Sequence, residues 1–319
     1  MRITEQMSTA ATLNGLQSTY SNLSSLQAQL SSGRQITKPS DNPSGTVTAL
    51  ELRSQVAQST QFQTNANAAT SWLSQVDSTM QSVNKELQSA RSLVVQGLNS
   101  GTADTGSNAA LASDIDGIKA SLLNLANSTQ LGRPVFGGTT AGAQAFALTP
   151  VSPATTPPTT AVTYAGNTGS IVKDVGPATS VQVNQLGTDV FGADGSNVFD
   201  ALTAISKALK AGTLSSSSAI PVTSATASSA TTDPLAALDS ALSLSETAQA
   251  TEGSASDQVQ AAQGNVTNNV LQYQTQLSTL QDVDVANMAI SVQSANTAYD
   301  AALATTAKIS QTSLLSYLQ

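Results

Sequence analysis

Three places in the sequence hold residue types at spacings that chemistry uses. Asp104-Thr105-Gly106-Ser107 matches the signature of the aspartic proteases. That reaction needs two Asp carboxylates close enough to share a proton, each on a turn of a β-barrel lobe. The match has no second copy and no apolar strand leading into it, and it reads as a solvated turn between helices. Gly166-Asn167-Thr168-Gly169-Ser170 has the small residues of a phosphate loop, without the lysine or the strand–loop–helix context. It reads as a turn between strands. Asp282 and Asp284 form the candidate metal pair. With Val283 between them they fall on different faces of a helix, no further ligands cluster nearby, and they read as exposed charges at a joint. The chain has no histidine and no cysteine. The usual zinc sites, the thiolate nucleophile and the commonest general base at neutral pH are therefore excluded. The expectation is a non-enzymatic chain with no catalytic, cofactor or metal residue.

Composition narrows the class. Charged residues are 10% of 319 and aromatics 3%, against roughly 25% charged in ordinary soluble domains. Ser, Thr, Ala, Gln and Asn take their place. A thick core of bulky side chains is out of reach, and thin layers of helices that approach through small residues suit the composition. The formal net charge is −8 with no basic cluster, which argues against nucleic acid. No apolar run is long enough to span a bilayer. The opening Met1-Arg2-Ile3-Thr4-Glu5-Gln6-Met7 lacks the apolar block of a secretory signal peptide. That favours the cytoplasm or export without cleavage, and missing cysteine is compatible with passage through a channel in the unfolded state.

The elements around these residues are mostly helical. Leu13, Leu16, Tyr20, Leu23, Leu26 and Leu30 step by three or four residues, one apolar stripe on a helix. Gly33 ends it. Pro39 and Pro43 frame a polar turn, with Ser40 or Asp41 expected to cap the next helix. Arg34 and Lys38 flank that turn, either as surface charge or as partners for Asp41 or another acid. A weakly patterned helix is expected over 44–70, and its register continues into a cleaner stretch through Leu73, Val76, Met80, Val83, Leu87, Ala90 and Val94. Trp72 beside this stripe reads as a core or interface anchor. A loop is expected over 99–108, then a helix carrying Leu111, Ile115, Ile118, Leu122 and Leu125.

The texture changes after Asn127. Glycine, proline and β-branched residues over 132–195 predict a small inserted β-rich domain, with strands at 161–164, 170–172 and 181–184. Leu202, Ile205 and Leu209 mark a helix over 198–209. The Ser/Thr/Ala-rich stretch 212–232 reads as a low-complexity mobile loop. Another helix opens at Leu235, Leu238 and Leu242. Val266, Val270, Tyr273, Leu277 and Leu280 then hold a strict heptad. The register slips by one residue before Val285, Met288, Val292, Ala295, Tyr299, Ala302 and Ile309, and the slip predicts a boundary between two helical domains. Each stripe must be buried somewhere. Periodicity alone is met by an intramolecular bundle or by packing against the same segments of other copies, and it favours the bundle.

The terminal motifs bear on that choice. Ser31-Ser32-Gly33-Arg34-Gln35-Ile36 followed by Lys38-Pro39-Ser40-Asp41-Asn42-Pro43 resembles the segment shared by the flagellin-like family of flagellar proteins. The Pro-Ser-Asp form and the Met-Arg-Ile-Thr start are closer to the family's hook–filament junction branch than to flagellin itself. The segment 280–286 through Tyr299 to Ser313-Leu314-Leu315 is similar to the second terminal signature. Gly132-Arg133-Pro134-Val135-Phe136-Gly137-Gly138-Thr139 resembles the entry into the outer domain. The segments 164–169 and 187–192 resemble that domain itself. Each motif is loose; their order at both ends is specific, and together they span most of the chain outside 212–232.

The resemblance implies a mainly α, elongated, flagellin-like subunit whose N- and C-terminal helices pair as a coiled coil. Residues 1–43 with 285–319 would line an inner tube, 44–137 with 197–284 would form a helical rod, and 138–196 an exposed outer domain. Gly33, Arg34, Pro39, Ser40, Asp41 and Pro43 would carry the family motif. The two terminal stripes, Leu13, Leu16, Tyr20, Leu23, Leu26 and Leu30 with Val285, Met288, Val292, Ala295, Tyr299, Ala302 and Ile309, would form the assembly interface together with Leu314 and Leu315. Implied partners are other copies of the chain in a ring, a hook-side junction protein, flagellin and a flagellar export chaperone, with no nucleic acid and no membrane. The implied location is the extracellular flagellum, reached by type III export without a cleaved signal. Some flagellin relatives carry a zinc protease in the outer domain, and a chain without histidine lacks its His-Glu-x-x-His. The alternatives are a filament subunit, which would form long fibres alone, and a helical signalling module, which would need a membrane span.

Overall fold

The computed structural model describes residues 2–99, 105–142, 144–152, 159–214, 220–222 and 230–317, with the backbone alone at 2–6, 8–9, 105, 150–152, 159–160, 220–222, 230–232 and 309–317. In chain order the elements are α1 (Arg2–Ser32), α2 (Pro43–Asn99), α3 (Thr105–Ala126), β1 (Thr129–Gln130), β2 (Arg133–Pro134), β3 (Phe146–Ser152), β4 (Thr159–Tyr164), β5 (Val172–Gly176), β6 (Thr179–Gln182), α4 (Gly187–Phe191), α5 (Val198–Lys210), β7 (Ile220–Val222), β8 (Ala230–Thr232), α6 (Pro234–Gln281) and α7 (Val285–Tyr317). The chain divides into two compact units. One holds Met1–Thr60 with Thr267–Gln319, the other Gln61–Val266.

The strands make four antiparallel pairs, β1–β2, β3–β4, β5–β6 and β7–β8, and no larger sheet among the described residues. A lone hairpin is marginal in water, so each must rest on helices. The larger unit supplies that support around four of the chain's five phenylalanines. Phe146 lies 5.3 Å from Phe191 and 5.4 Å from Phe199 between ring centroids. Phe136 meets Phe191 edge-on at 5.4 Å, and Tyr164 closes the group 5.3 Å from Phe146. Each such pair adds about 0.5–1.5 kcal/mol beyond area burial. Val76, Met80, Val83, Leu87, Ala90 and Val94 of α2 join this core with Ile115 and Leu122 of α3 and Leu202, Ile205 and Leu209 of α5. A smaller core sets Val175, Val181 and Val183, from the β5–β6 hairpin and the residue after it, against Ala66, Ala69 and Leu73 of α2 and Val259 of α6. Trp72 is half-buried against both. Its indole N–H has no partner.

Asparagines stitch the loops to this frame. Asn127 pairs with the backbone of Phe146 like a strand, its Oδ1 accepting from the amide at 2.8 Å and its Nδ2 donating to the carbonyl at 2.9 Å. Asn167 Oδ1 accepts from the amides of Thr139 at 2.8 Å and Gly169 at 3.0 Å. This holds the 166–170 segment as a turn between β4 and β5. Asn197 caps α5 by accepting from Asp200 N at 2.9 Å, while its Nδ2 donates to Val162 O at 3.0 Å. Asp200 in the first turn and Lys207 and Lys210 in the last complement the helix dipole.

Within the larger unit α2 and α6 are joined by a polar ladder. Asn84 Nδ2 donates to Gln249 Oε1 at 2.9 Å, and Gln249 Nε2 to Asp77 at 3.0 Å. Gln81 Nε2 also donates to Asp77, at 2.7 Å. Glu252 is 4% exposed beside them. Burial first, and then the charge of Asp77, push its carboxyl up to about 7.

The continuity of register from 44–70 into 73–94 stands, since both lie on one helix, α2, with no proline after Pro43 and its two glycines, Gly45 and Gly97, only in its end turns. Several other expectations are corrected. The loop expected over 99–108 ends earlier, since α3 starts at Thr105. Asp104 lies outside the described residues. The strand expected at 170–172 begins only at Val172, because Asn184 Oδ1 takes the amide of Ile171 at 2.7 Å outside the ladder. The strand expected at 181–184 is Thr179–Gln182. In the stretch 212–232, β7 and β8 pair through Ile220–Thr232 and Val222–Ala230, and 215–219 and 223–229 lie outside the described residues.

Candidate assembly interface

In the smaller unit α1 packs against α7. Tyr20 and Tyr299 meet at 5.7 Å. Part of the stripe read from the sequence lies on the covered face. Leu23 is buried, and Leu16, Leu26 and Leu30 are half-buried with Met288, Val292, Ala295, Tyr299 and Ala302 of α7. Leu13 and Tyr20 remain largely exposed, Tyr20 by 58%. Val285 is 62% exposed and so lies off the covered face. The side chains of Ile309, Leu314 and Leu315 lie outside the described residues.

A further apolar set is exposed. Ile290 of α7 is 67% exposed, and Leu303 of α7, Val47 and Leu50 of α2 and Leu271 of α6 are exposed with it. Sequence reasoning missed these because they fall off the heptad register that marks the stripe. Their visible signal is isolated large aliphatics among Ser, Asn and Ala.

The chain turns between α1 and α2 and between α6 and α7 at one joint. Arg34 and Asp282 form an antiparallel bridge. Gln35 N donates to Gln281 O at 2.6 Å and Val283 N to Gly33 O at 3.1 Å. Gly33 takes φ +66° here, which favours glycine. Gln281 is buried, and its Oε1 accepts from the Arg53 guanidinium at 3.0 Å.

The motif residues have definite tasks, and two differ from expectation. Neither Ser40 nor Asp41 caps α2. Asn42 does so, its Oδ1 accepting from Gly45 N at 2.9 Å, with Pro43 in the first helical position where no amide is missed. Asp41 instead closes the preceding turn. Its Oδ2 accepts from the Thr37 hydroxyl at 2.8 Å and the Lys38 amide at 2.9 Å. These hydrogen bonds, that of Thr37 foremost, hold its carboxyl below the usual range. Asp282 and Asp284 are not on a helix. They sit in the break between α6 and α7, at the slip in register. Asp284 caps α7 by accepting from the amides of Ala286 at 3.0 Å and Asn287 at 3.2 Å, and Asp282 accepts from the Ser278 hydroxyl at 2.6 Å. Among the described residues the ion pairs are Arg91–Asp239, Lys119–Asp116 and Lys210–Asp116, so Arg34 and Lys38 take no part in one.

Among the described residues no group of three or more His, Cys, Asp or Glu could hold a metal, and no helix is long and apolar enough to cross a membrane. What the geometry offers is a pair of end helices with one covered face and further apolar residues facing outward.

Residues 3–140 match the bacterial flagellin N-terminal helical region and residues 235–318 the flagellin C-terminal helical region. The two matches cover more than two thirds of the sequence and include α1, α2, α6 and α7. The chain belongs to the flagellin family. This flagellin-family chain is 30% identical to the flagellar hook-associated protein 3 of Salmonella typhimurium over 198 residues, which is 62% of the chain and 59% of the relative. It is 28% identical to the protein of the same name from Escherichia coli over the same shares. The match thus spans less than two thirds of the curated relatives' length. Its fold is that of hook-associated protein 3 from Legionella pneumophila, with a TM-score of 0.59 at 16% identity, covering 72% of this chain and 98% of that one. The FlgL of Xanthomonas campestris gives a TM-score of 0.56 at 18% identity, covering 70% of this chain and 98% of that one.

Proposed function

We propose that this chain is a non-enzymatic structural component of the bacterial flagellum that joins hook to filament. The supporting observation is the outward-facing apolar set on the α1–α7 unit, in a flagellin-family chain whose curated relatives are named hook-associated protein 3. In this reading residues 1–43 and 285–319 line the inner tube, 44–137 and 197–284 form the rod, and 138–196 face outward. The assembly interface comprises Leu13, Leu16, Tyr20, Leu26, Leu30, Val285, Met288, Val292, Ala295, Tyr299, Ala302, Ile309, Leu314 and Leu315, to which we add Val47, Leu50, Ile290 and Leu303. Leu23 serves the α1–α7 pairing itself.

The mechanism is physical. Ordering backbone costs about 1–2 kcal/mol per residue, and burial returns about 25 cal/mol per Å² of apolar surface. Helices covered on one face recover only part of that cost. Neighbouring copies supply the rest, so folding of the ends is coupled to assembly and the subunit stays unassembled until its partners are present. The partners in this reading are other copies of the chain, the hook-side junction protein, flagellin and an export chaperone. The site of action is outside the cell, after export without a cleaved signal.

Deletion of the gene tests the role. Normal hooks, no attached filament and flagellin released into the medium are expected. Filaments still attached to hooks would refute the joining role, and long fibres formed by the purified chain alone would favour a filament subunit. Truncation after Ala286 should leave the larger unit folded and abolish incorporation.

A further inference from the structure

The β1–β2 hairpin closes with a two-residue loop, Leu131-Gly132, flanked by the pair Gln130–Arg133. Both loop residues have positive φ, 51° and 76°. This is the backbone of a type I′ turn, which Asn-Gly or Gly-Gly adopts with least strain. Leu131 is the sole non-glycine residue with positive φ among the described residues. Its side chain is 97% exposed. Single exposed leucines are common. A leucine held in a left-handed conformation at a hairpin tip, touching almost nothing of its own chain, carries a backbone cost with no packing return. The tip is held firmly: Gln130 Nε2 donates to Ser71 O of α2 at 3.0 Å, and Val135 N to Ser128 O at 2.9 Å. Arg133, exposed at the foot of the turn, puts one of the chain's twelve basic residues beside the leucine.

The same unit contains an open cleft with room for such a side-chain knob. It has a volume of about 390 Å³ and opens between Phe62 of α2 and the turn joining β5 to β6, lined by Asp174, Gly176, Pro177, Ala178, Thr179 and Ser180. Phe62 and Pro177 are apolar residues in a lining that is otherwise mostly polar, and Asp174 is the acidic residue of that lining. Asn65 Nδ2 donates to Asp174 O at 2.9 Å and fixes the hairpin against α2.

We propose that Leu131 of one copy inserts between Phe62 and Pro177 of a second copy, with Arg133 facing Asp174. The charge match favours this chain as the occupant: in an acidic protein the basic residue stands beside the knob and the acid beside the cleft. Knob and cleft are different patches, so the contact is head-to-tail and repeats into a ring or helix rather than closing as a dimer. The inference deepens the proposed function, resting on the reading that copies assemble with one another.

The natural absence of cysteine makes the test clean. The full-length chain carrying both Leu131→Cys and Ala178→Cys, concentrated under mild oxidation, should give a reducible ladder of oligomers. Either single variant can give dimers at most. A double variant that stops at the same dimers overturns the contact. A second variant separates docking from folding. Leu131→Asn suits the turn, so its unfolding midpoint should hold or rise while self-association, measured by sedimentation, weakens about tenfold or more. Unchanged self-association would also overturn the proposal. Neither measurement involves hook or filament. Failure here leaves the joining role standing, and failure of the gene-deletion test leaves the ladder standing.

Discussion

Phe191, three further phenylalanine rings and Tyr164 each pack within 5.6 Å of a neighbouring ring, fully or largely out of water. Along α7, Val285 and Ile290 stand in the open, and the pairing stripe is only half covered by α1. Both regions are made from the same sparse supply of apolar residues. The larger unit concentrates its aromatics on β3, β4, α4, α5 and the segment at Phe136, in a core shared with α2, α3 and α6, and there the chain's own burial suffices. The smaller unit spreads aliphatics at heptad spacing along two helices, which can cover each other on one side only. A core that closes on itself makes a folded unit. A stripe that cannot close makes a surface with a use for neighbours.

This contrast can be broken most directly at the aromatic cluster. Phe191→Ala should cost about 3–5 kcal/mol of unfolding free energy, read as a large drop in the urea midpoint. A loss below about 1 kcal/mol would mean that the cluster does not carry the larger unit. Second is the buried Glu252, whose carboxyl stands at about 7 against 4.5 when free. Below pH 4.5 both folded and unfolded chains hold the proton. Between about 4.5 and 7 the unfolded chain releases it first, so stability falls through that window and levels off above it. At about 1.4 kcal/mol per pKa unit the loss is at most about 3.5 kcal/mol. Glu252→Gln should remove this fall, matching the wild type near pH 4.5 and exceeding it at pH 8 in urea unfolding.

A third change sharpens the description of the joint. Asn42→Ala should cost about 1 kcal/mol by removing the cap of α2, whereas Ser40→Ala should cost little, as measured by amide hydrogen exchange in the first turn of α2. The smallest stability effect belongs to the open surface. Val285→Ser with Ile290→Ser should leave the urea midpoint of the free chain nearly unchanged and sharply reduce incorporation into flagella. Normal incorporation would place the assembly surface elsewhere.

The stripes on α1, α7 and the second half of α2 were legible because helical packing demands an apolar residue every three or four positions. The break between α6 and α7 was visible as the register slip. Caps were less legible. Ser40, Asp41 and Asn42 are all good caps by type, and only the position of Pro43 in the first turn decides for Asn42. The roles of Asn127, Asn167, Asn184 and Asn197 could not be read at all, because each joins segments that are distant in sequence or depends on which amides a loop leaves unpaired. The cleft beside Phe62 was equally hidden, since its walls come from α2 and from a turn more than a hundred residues later.

From the sequence alone came the helical class, the inserted strands, the absence of histidine and cysteine chemistry, and the paired terminal motifs of the family. These follow from local spacing and composition, which every segment carries with it. Only the tertiary structure decided how much of the stripe on each end helix is covered, which asparagines act as clamps, and that Glu252 is buried beside Asp77. Burial and partnership are properties of two segments at once, and no single segment encodes them.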